Sequence, residues 1–187
     1  MACSLPGRCS IASDRYFSCA RIVAALQALG DELTSQGVRG QIFVVGGAAM
    51  ALAYSTRRVT KDIDAVFEPN AFIYRAAARV AEQHGLPDNW LSDAVKGFLP
   101  GSDEEARPVP EVRGLEVTTA SPRYLLAMKL MAMRFGEDDE DIEILLRECG
   151  VRSAGEALDL LQRMYPYREP PVKTRLFLEE LLGAAAD

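Results

Sequence analysis

Hydrophobic and polar positions along the chain switch between two periods. From Phe17 to Gln36 the apolar residues Phe17, Ala20, Val23, Ala24, Leu26, Ala28, Leu29 and Leu33 follow the helical repeat, and Gly37 and Gly40 close the segment. The run Ile42–Val45 is continuously apolar and stops at Gly46-Gly47, which predicts a buried strand ending in a tight turn. A short Ala-rich helix follows, and Asp62–Phe67 then alternates as a second strand. Pro69-Asn70 predicts a turn with Asn70 as cap of a helix reaching about Gln83. Phe72, Ile73, Ala76, Ala77, Val80 and Ala81 of that helix face inward, and Arg75 and Arg79 share a solvated face. Trp90, Leu91, Val95, Phe98 and Leu99 suggest a short helix folded onto the core. GSDEEARPVP (101–110) reads as an exposed loop, and Val112–Thr119 as a third strand with Leu115, Val117 and Thr119 on one side.

Beyond the third strand the pattern is helical. Ser121 is a good N-cap and Pro122 a good first residue for YLLAMKLMAMRF, a stretch apolar nearly all round and hence mostly buried. Gly136 is expected to end it. GEDDEDIEILLREC then starts a helix whose acidic first turn suits the helix dipole. Ser153–Tyr165 and Pro171–Leu182 predict two closing amphipathic helices that read as architectural, although Lys173 and Arg175 could line an RNA path. The class is α/β (α+β): a small mixed sheet flanked by helices, followed by a C-terminal helical bundle. The expected division is a flexible 1–16, a core at 17–119, and a helical part at 120–187 packed on that core.

Composition narrows the partners. At 187 residues the chain buries a core, and its net charge of −6 argues against unspecific coating of nucleic acid while permitting a local basic groove. No apolar stretch approaches the roughly 20 residues of a membrane span, and MACSLPGRCSIASDR lacks a signal-peptide core, so a cytoplasmic location is expected. Cys3, Cys9, Cys19 and Cys149 have neither CxxC nor framework spacing. His84 is the only histidine and sits at a helix end, leaving little for a His-based zinc site or a Ser-His-Asp triad.

Candidate chemistry gathers between Phe43 and Glu68. On a strand, Asp62 and Asp64 point the same way with α-carbons roughly 6.6 Å apart, while Ile63 points into the core. Two carboxylates at that spacing can share one or two divalent cations. Gly46-Gly47 lets a ligand approach the main chain, and the helix beginning there offers free N–H groups to an anion. Lys129 lies in the apolar helix, where an ammonium must reach water, a carboxylate or a phosphate. Asp138 and Asp141 are three apart and share a helix face; spacing leaves open which of them turns toward Lys129.

Gly-Gly followed by R-x-T-x-D-x-D, here TKDIDAVF, resembles the nucleotidyltransferase fold shared with DNA polymerase β and aminoglycoside nucleotidyltransferases. More narrowly it is similar to the AbiEii-like and MenT-like nucleotidyltransferase toxins. LPDNWLSDAVKGFLPG, TTASPRYLLAMKLMAMR and DDEDIEILLRECG extend the likeness from Phe17 to Leu182. The resemblance implies a nucleoside triphosphate along Gly46-Gly47, Mg²⁺ (or Mn²⁺) on Asp62 and Asp64, and Lys129 at the nucleotide phosphates with Arg57 or Arg58. It implies catalytic roles for Asp62, Asp64, Lys129 and Asp141, with Asp138 the second choice for the acid. Polymerase-like members carry a third carboxylate on the third strand, for which Glu116 is the candidate. The implied activity is transfer of a nucleotide, from CTP or another pyrimidine triphosphate, to the tRNA 3′ end. A cognate antitoxin is the implied protein partner, and Thr60 falls where related toxins are phosphorylated. The alternatives are a protein or small-molecule hydroxyl as acceptor, or a non-catalytic nucleotide-binding module.

Overall fold

The computed structural model of the chain describes residues 16–54 and 59–183. It contains two compact units, one made of the chain up to Gly97 with Ala106–Ala120, the other of Phe98–Glu105 with Ser121 onward.

The first unit is a mixed sheet with helices on one side. Helix α1 (Cys19–Ser35) leads to β1 (Gly40–Val44), α2 (Gly46–Ala53), β2 (Ile63–Glu68), α3 (Asn70–His84), and the short strands β3 (Leu91–Ser92) and β4 (Arg107–Pro108) before β5 (Leu115–Thr119). The order is β3-β2-β1-β5-β4. β1 runs antiparallel to β2 (Val44 opposite Ala65) and parallel to β5 (Val44 opposite Thr119).

Alternation decides the faces. Ile42 and Val44, Ile63, Ala65 and Phe67, and Leu115, Val117 and Thr119 are buried. This is the helix-covered side: a Cβ built on Gly40 would meet Leu33 of α1 at 3.0 Å and Ile73 of α3 at 3.3 Å. Each fully buried aliphatic side chain here contributes about 1.5–3 kcal/mol. The other face carries Gln41, Phe43, Asp64, Val66, Glu68, Glu116 and Thr118, all half-buried or exposed.

Several boundaries differ from the sequence reading. Phe17 is not helical; it pairs with Thr60 as an isolated antiparallel bridge, and Ser18 caps α1 by accepting from the Arg21 N–H. Asn70 is the first helical residue of α3, with Pro69 as its N-cap. Phe72 is 39% exposed rather than inward. Trp90 and Leu91 are buried, but Leu91 pairs with Ile63 in β3 and the following turn, Ala94–Phe98, is a 3₁₀ helix. Two-residue strands have no period to detect, so the sequence offered only their apolarity.

The second unit is helical: α4 (Pro122–Ala132), α5 (Asp139–Cys149), α6 (Ala154–Met164) and α7 (Val172–Leu182). Ser121 caps α4 with its hydroxyl accepting from the Tyr124 N–H, and Pro122 opens the helix. α4 ends at Ala132, earlier than Gly136 suggested, and side chains of α7 satisfy carbonyls left open at that end. Thr174 Oγ1 donates to Leu130 O at 2.7 Å and Lys173 Nζ to Met133 O at 2.6 Å. Lys173 is therefore tied to the end of α4 through its ammonium, while the residue itself stays exposed. No helix among the described residues is long and apolar enough to cross a membrane.

Candidate active site

In the first unit, the end of β1 and the start of β2 bring the glycine turn against a carboxylate. Val45 N donates to Asp64 O at 2.9 Å, which fixes the turn beside β2. Gly46 follows with φ +61°, a left-handed conformation that a side chain disfavours. Its missing Cβ would lie 3.4 Å from Asp64 Oδ2. The carboxylate thus rests over bare backbone at the start of α2. That helix begins without a side-chain cap, so its first N–H groups keep their capacity for an anion.

Gly47 has a different neighbour. A Cβ there would sit 2.9 Å from Thr60 Oγ1. Thr60 is held by reciprocal backbone bonds with Phe17, Phe17 N to Thr60 O at 2.6 Å and Thr60 N to Phe17 O at 3.0 Å. Asp62 and Asp64 are half-buried on either side of the fully buried Ile63, so neither carboxylate belongs to the core. The described residues contain no cluster of three or more His, Cys, Asp or Glu able to hold a metal. Asp62 precedes β2 at a bend rather than standing on the strand as the alternation predicted, and Asp64 is the aspartate that lies against the turn. A hard cation that binds through one or two carboxylates and completes its shell with substrate phosphates and water suits a site of this kind. Mg²⁺ or Mn²⁺ fits this donor set better than an all-protein cage metal would.

Glu116 requires a correction. The register pairs it with Gln41, whose other neighbour is Glu68, whereas Asp64 lies beyond the opposite end of β1, next to Val45. It shares the open face with Asp64 but stands several residues down the sheet, at about 3.3 Å per residue. Gln41 Nε2 donates to its carboxylate at 3.0 Å, and it lines a cleft of about 630 Å³ with Arg39, Gln41 and Glu68. On β5 the residues nearest the level of Asp64 are Thr118 and Ala120, neither of them acidic. Arg57 and Arg58 lie outside the described residues.

In the second unit the two candidate acids meet one lysine. Lys129 Nζ is 2.8 Å from Asp138 Oδ1 and 2.6 Å from Asp141 Oδ2. Lys129 is 9% exposed, Asp138 3% and Asp141 fully buried. Spacing left Asp138 and Asp141 as alternatives; the fold uses both, because α5 begins beside α4 and its first turn presents both carboxylates on the facing side. Sequence reasoning missed Arg134, whose backbone N–H donates to Asp138 Oδ2 at 2.9 Å and whose Nε donates to the same oxygen at 3.4 Å. The signal was present in its i, i+4 spacing to Asp138. Burial works against ionisation of Asp138, but hydrogen bonding and charge from Lys129, with the Arg134 N–H and guanidinium, outweigh it. Together they hold the carboxyl below the usual range.

Burial pushes the Cys149 thiol up to about 11, which keeps it in the thiol form at neutral pH. No curated protein and no solved structure shows significant similarity to the chain. A family model described as a nucleotidyltransferase of unknown function (DUF6036) matches residues 21–151, well over half of the sequence. With its glycine turn against an aspartate on a mixed α/β sheet, the chain belongs to that nucleotidyltransferase family.

Proposed function

We propose that the protein transfers a nucleoside monophosphate from a nucleoside triphosphate to a hydroxyl acceptor, with Mg²⁺ held by Asp62 and Asp64. The observation that carries this reading is the contact geometry at Gly46, where a carboxylate oxygen lies 3.4 Å from the place a side chain would fill. A metal-binding group and a backbone anion cradle then share one spot. The bound cation supplies charge neutralisation along the phosphates. The protein's own part is positioning: the turn and the α2 N-terminus seat the phosphates, and an aspartate orients the attacking hydroxyl. The acceptor oxygen forms a bond to the α-phosphorus as the bond to the β-phosphate bridging oxygen breaks. Pyrophosphate leaves, and the hydroxyl proton passes to a carboxylate or to solvent.

Lys129 and Asp141 are assigned to the same reaction, with Asp138 as a second acid. The resemblance of LLAMKL and DDEDI to the toxin motifs supports the assignment. So does the cost of burying an ion triad, which packed apolar residues would replace at little or no loss of stability. The lysine's charge would counter that developing on the leaving pyrophosphate, aided by Arg57 or Arg58.

The finer reading follows the same resemblance. The acceptor is the 3′ end of tRNA, the donor is CTP or another pyrimidine triphosphate, and the extended tRNA no longer accepts an amino acid. The protein is then a toxin, located in the cytoplasm, whose cognate antitoxin acts by binding or by phosphorylating Thr60. A phosphate on Thr60 would place about −1.5 to −2 charges at the Gly47 turn and repel the triphosphate. The test is incubation of purified protein with each α-labelled triphosphate, Mg²⁺ and total RNA. Wild-type protein labels tRNA and Asp62→Ala does not, with its melting temperature retained. Labelling by Asp62→Ala equal to wild type would defeat the metal assignment. Label appearing in protein or in a small molecule would replace the acceptor.

A further inference from the structure

The hydroxyl of Thr60 occupies the space that a side chain at position 47 would otherwise take. Its Oγ1 is 2.9 Å from the ideal Cβ position of Gly47, in the same turn where Asp64 Oδ2 approaches the Cβ position of Gly46. Two oxygens from different segments, one a carboxylate and one a hydroxyl, therefore cover two adjacent bare α-carbons at the start of α2. Thr60 is not placed there by strand periodicity, because β2 begins only at Ile63. The reciprocal backbone bonds to fully buried Phe17 hold it. Its side chain is only half-buried, and among the described residues its hydroxyl makes no hydrogen bond. The β-branched side chain is stiff, so the oxygen is pre-aimed at little entropic cost.

We infer that Thr60 is a substrate-binding residue: its hydroxyl donates a hydrogen bond to a phosphate oxygen of the triphosphate seated on the Gly46-Gly47 turn. This rests on the nucleotidyltransferase reading above and adds a side-chain donor where the turn itself has only backbone. It also explains why position 47 is glycine, since any Cβ there pushes the hydroxyl out of place. A neutral donor strengthens against a charged phosphate oxygen without adding a cation that would compete with the metal for the carboxylates.

The experiment measures binding of a non-hydrolysable nucleoside triphosphate with Mg²⁺ to full-length wild type, Thr60→Val, Thr60→Ser and Asp64→Asn, with melting curves for each. Valine keeps the shape and removes the hydroxyl, so Thr60→Val is expected to fold normally and to bind the triphosphate about ten- to a hundred-fold more weakly. Thr60→Ser is expected to stay within about threefold of wild type, since a hydroxyl remains at the same carbon. Thr60→Val binding as tightly as wild type, while Asp64→Asn binds poorly, overturns the role of Thr60 and leaves the nucleotidyltransferase reading standing. Wild type that binds no triphosphate overturns both.

Discussion

Replacing Lys129 by methionine tests whether the buried ion triad is understood. The ammonium lies 2.8 Å and 2.6 Å from the two carboxylates. At an effective dielectric of about 20, each such contact is worth roughly 6 kcal/mol of Coulomb attraction. Desolvation of three buried charges costs several kcal/mol per ion, so the intact triad contributes little net stability. Removing only the lysine is different. Methionine fills a similar volume, but Asp141, with no exposed surface, and Asp138, at 3%, would face each other without their shared cation. Breaking a buried pair in this way costs about 3–5 kcal/mol, a large part of the 5–15 kcal/mol that holds a domain together. The assay is urea unfolding of wild type and Lys129→Met at pH 7 and again near pH 4.5. The loss should be largest at pH 7 and shrink at the lower pH, because protonating the orphaned acids removes the penalty. Adding Asp138→Asn to Lys129→Met should recover part of it at pH 7. A loss below about 1 kcal/mol at pH 7, or one that does not change with pH, would show that the acids are not buried as described.

Two further outcomes follow from the same geometry. Because Asp138 is held below the usual carboxylate range, the stability it contributes is full above the unfolded value near 4 and is lost as pH falls through its lower folded value. Asp138→Asn should therefore flatten the acid limb of the melting temperature against pH, and an unchanged limb would assign that acid sensitivity to other carboxylates. Glu116→Gln should leave nucleotide transfer within about twofold of wild type and stability within about 0.5 kcal/mol, since it lies at the far end of the sheet from Asp64. A loss of activity comparable to that of Asp62→Ala would restore Glu116 as a third metal ligand.

What could be read from the sequence was whatever follows from local periodicity and turn chemistry. The long helices, the alternation through Ile63, Asp64 and Ala65, the Ser121-Pro122 start and the glycine turn need only neighbours in the chain. So candidate residues for phosphoryl chemistry could be proposed from order and from the likeness to nucleotidyltransferases. Strand register could not, because Glu116 and Asp64 share a face and differ only in their level along the sheet, which long-range pairing with β1 sets. The short strand β3, the bridge from Phe17 to Thr60 and the capture of Lys173 by the end of α4 were likewise invisible, each depending on a contact between distant segments. Spacing also left Asp138 and Asp141 as rivals, and only the packing of α5 beside α4 brought both onto Lys129. A linear pattern specifies which groups are available and which face they take; distances between groups on separate elements arise only when the chain closes on itself.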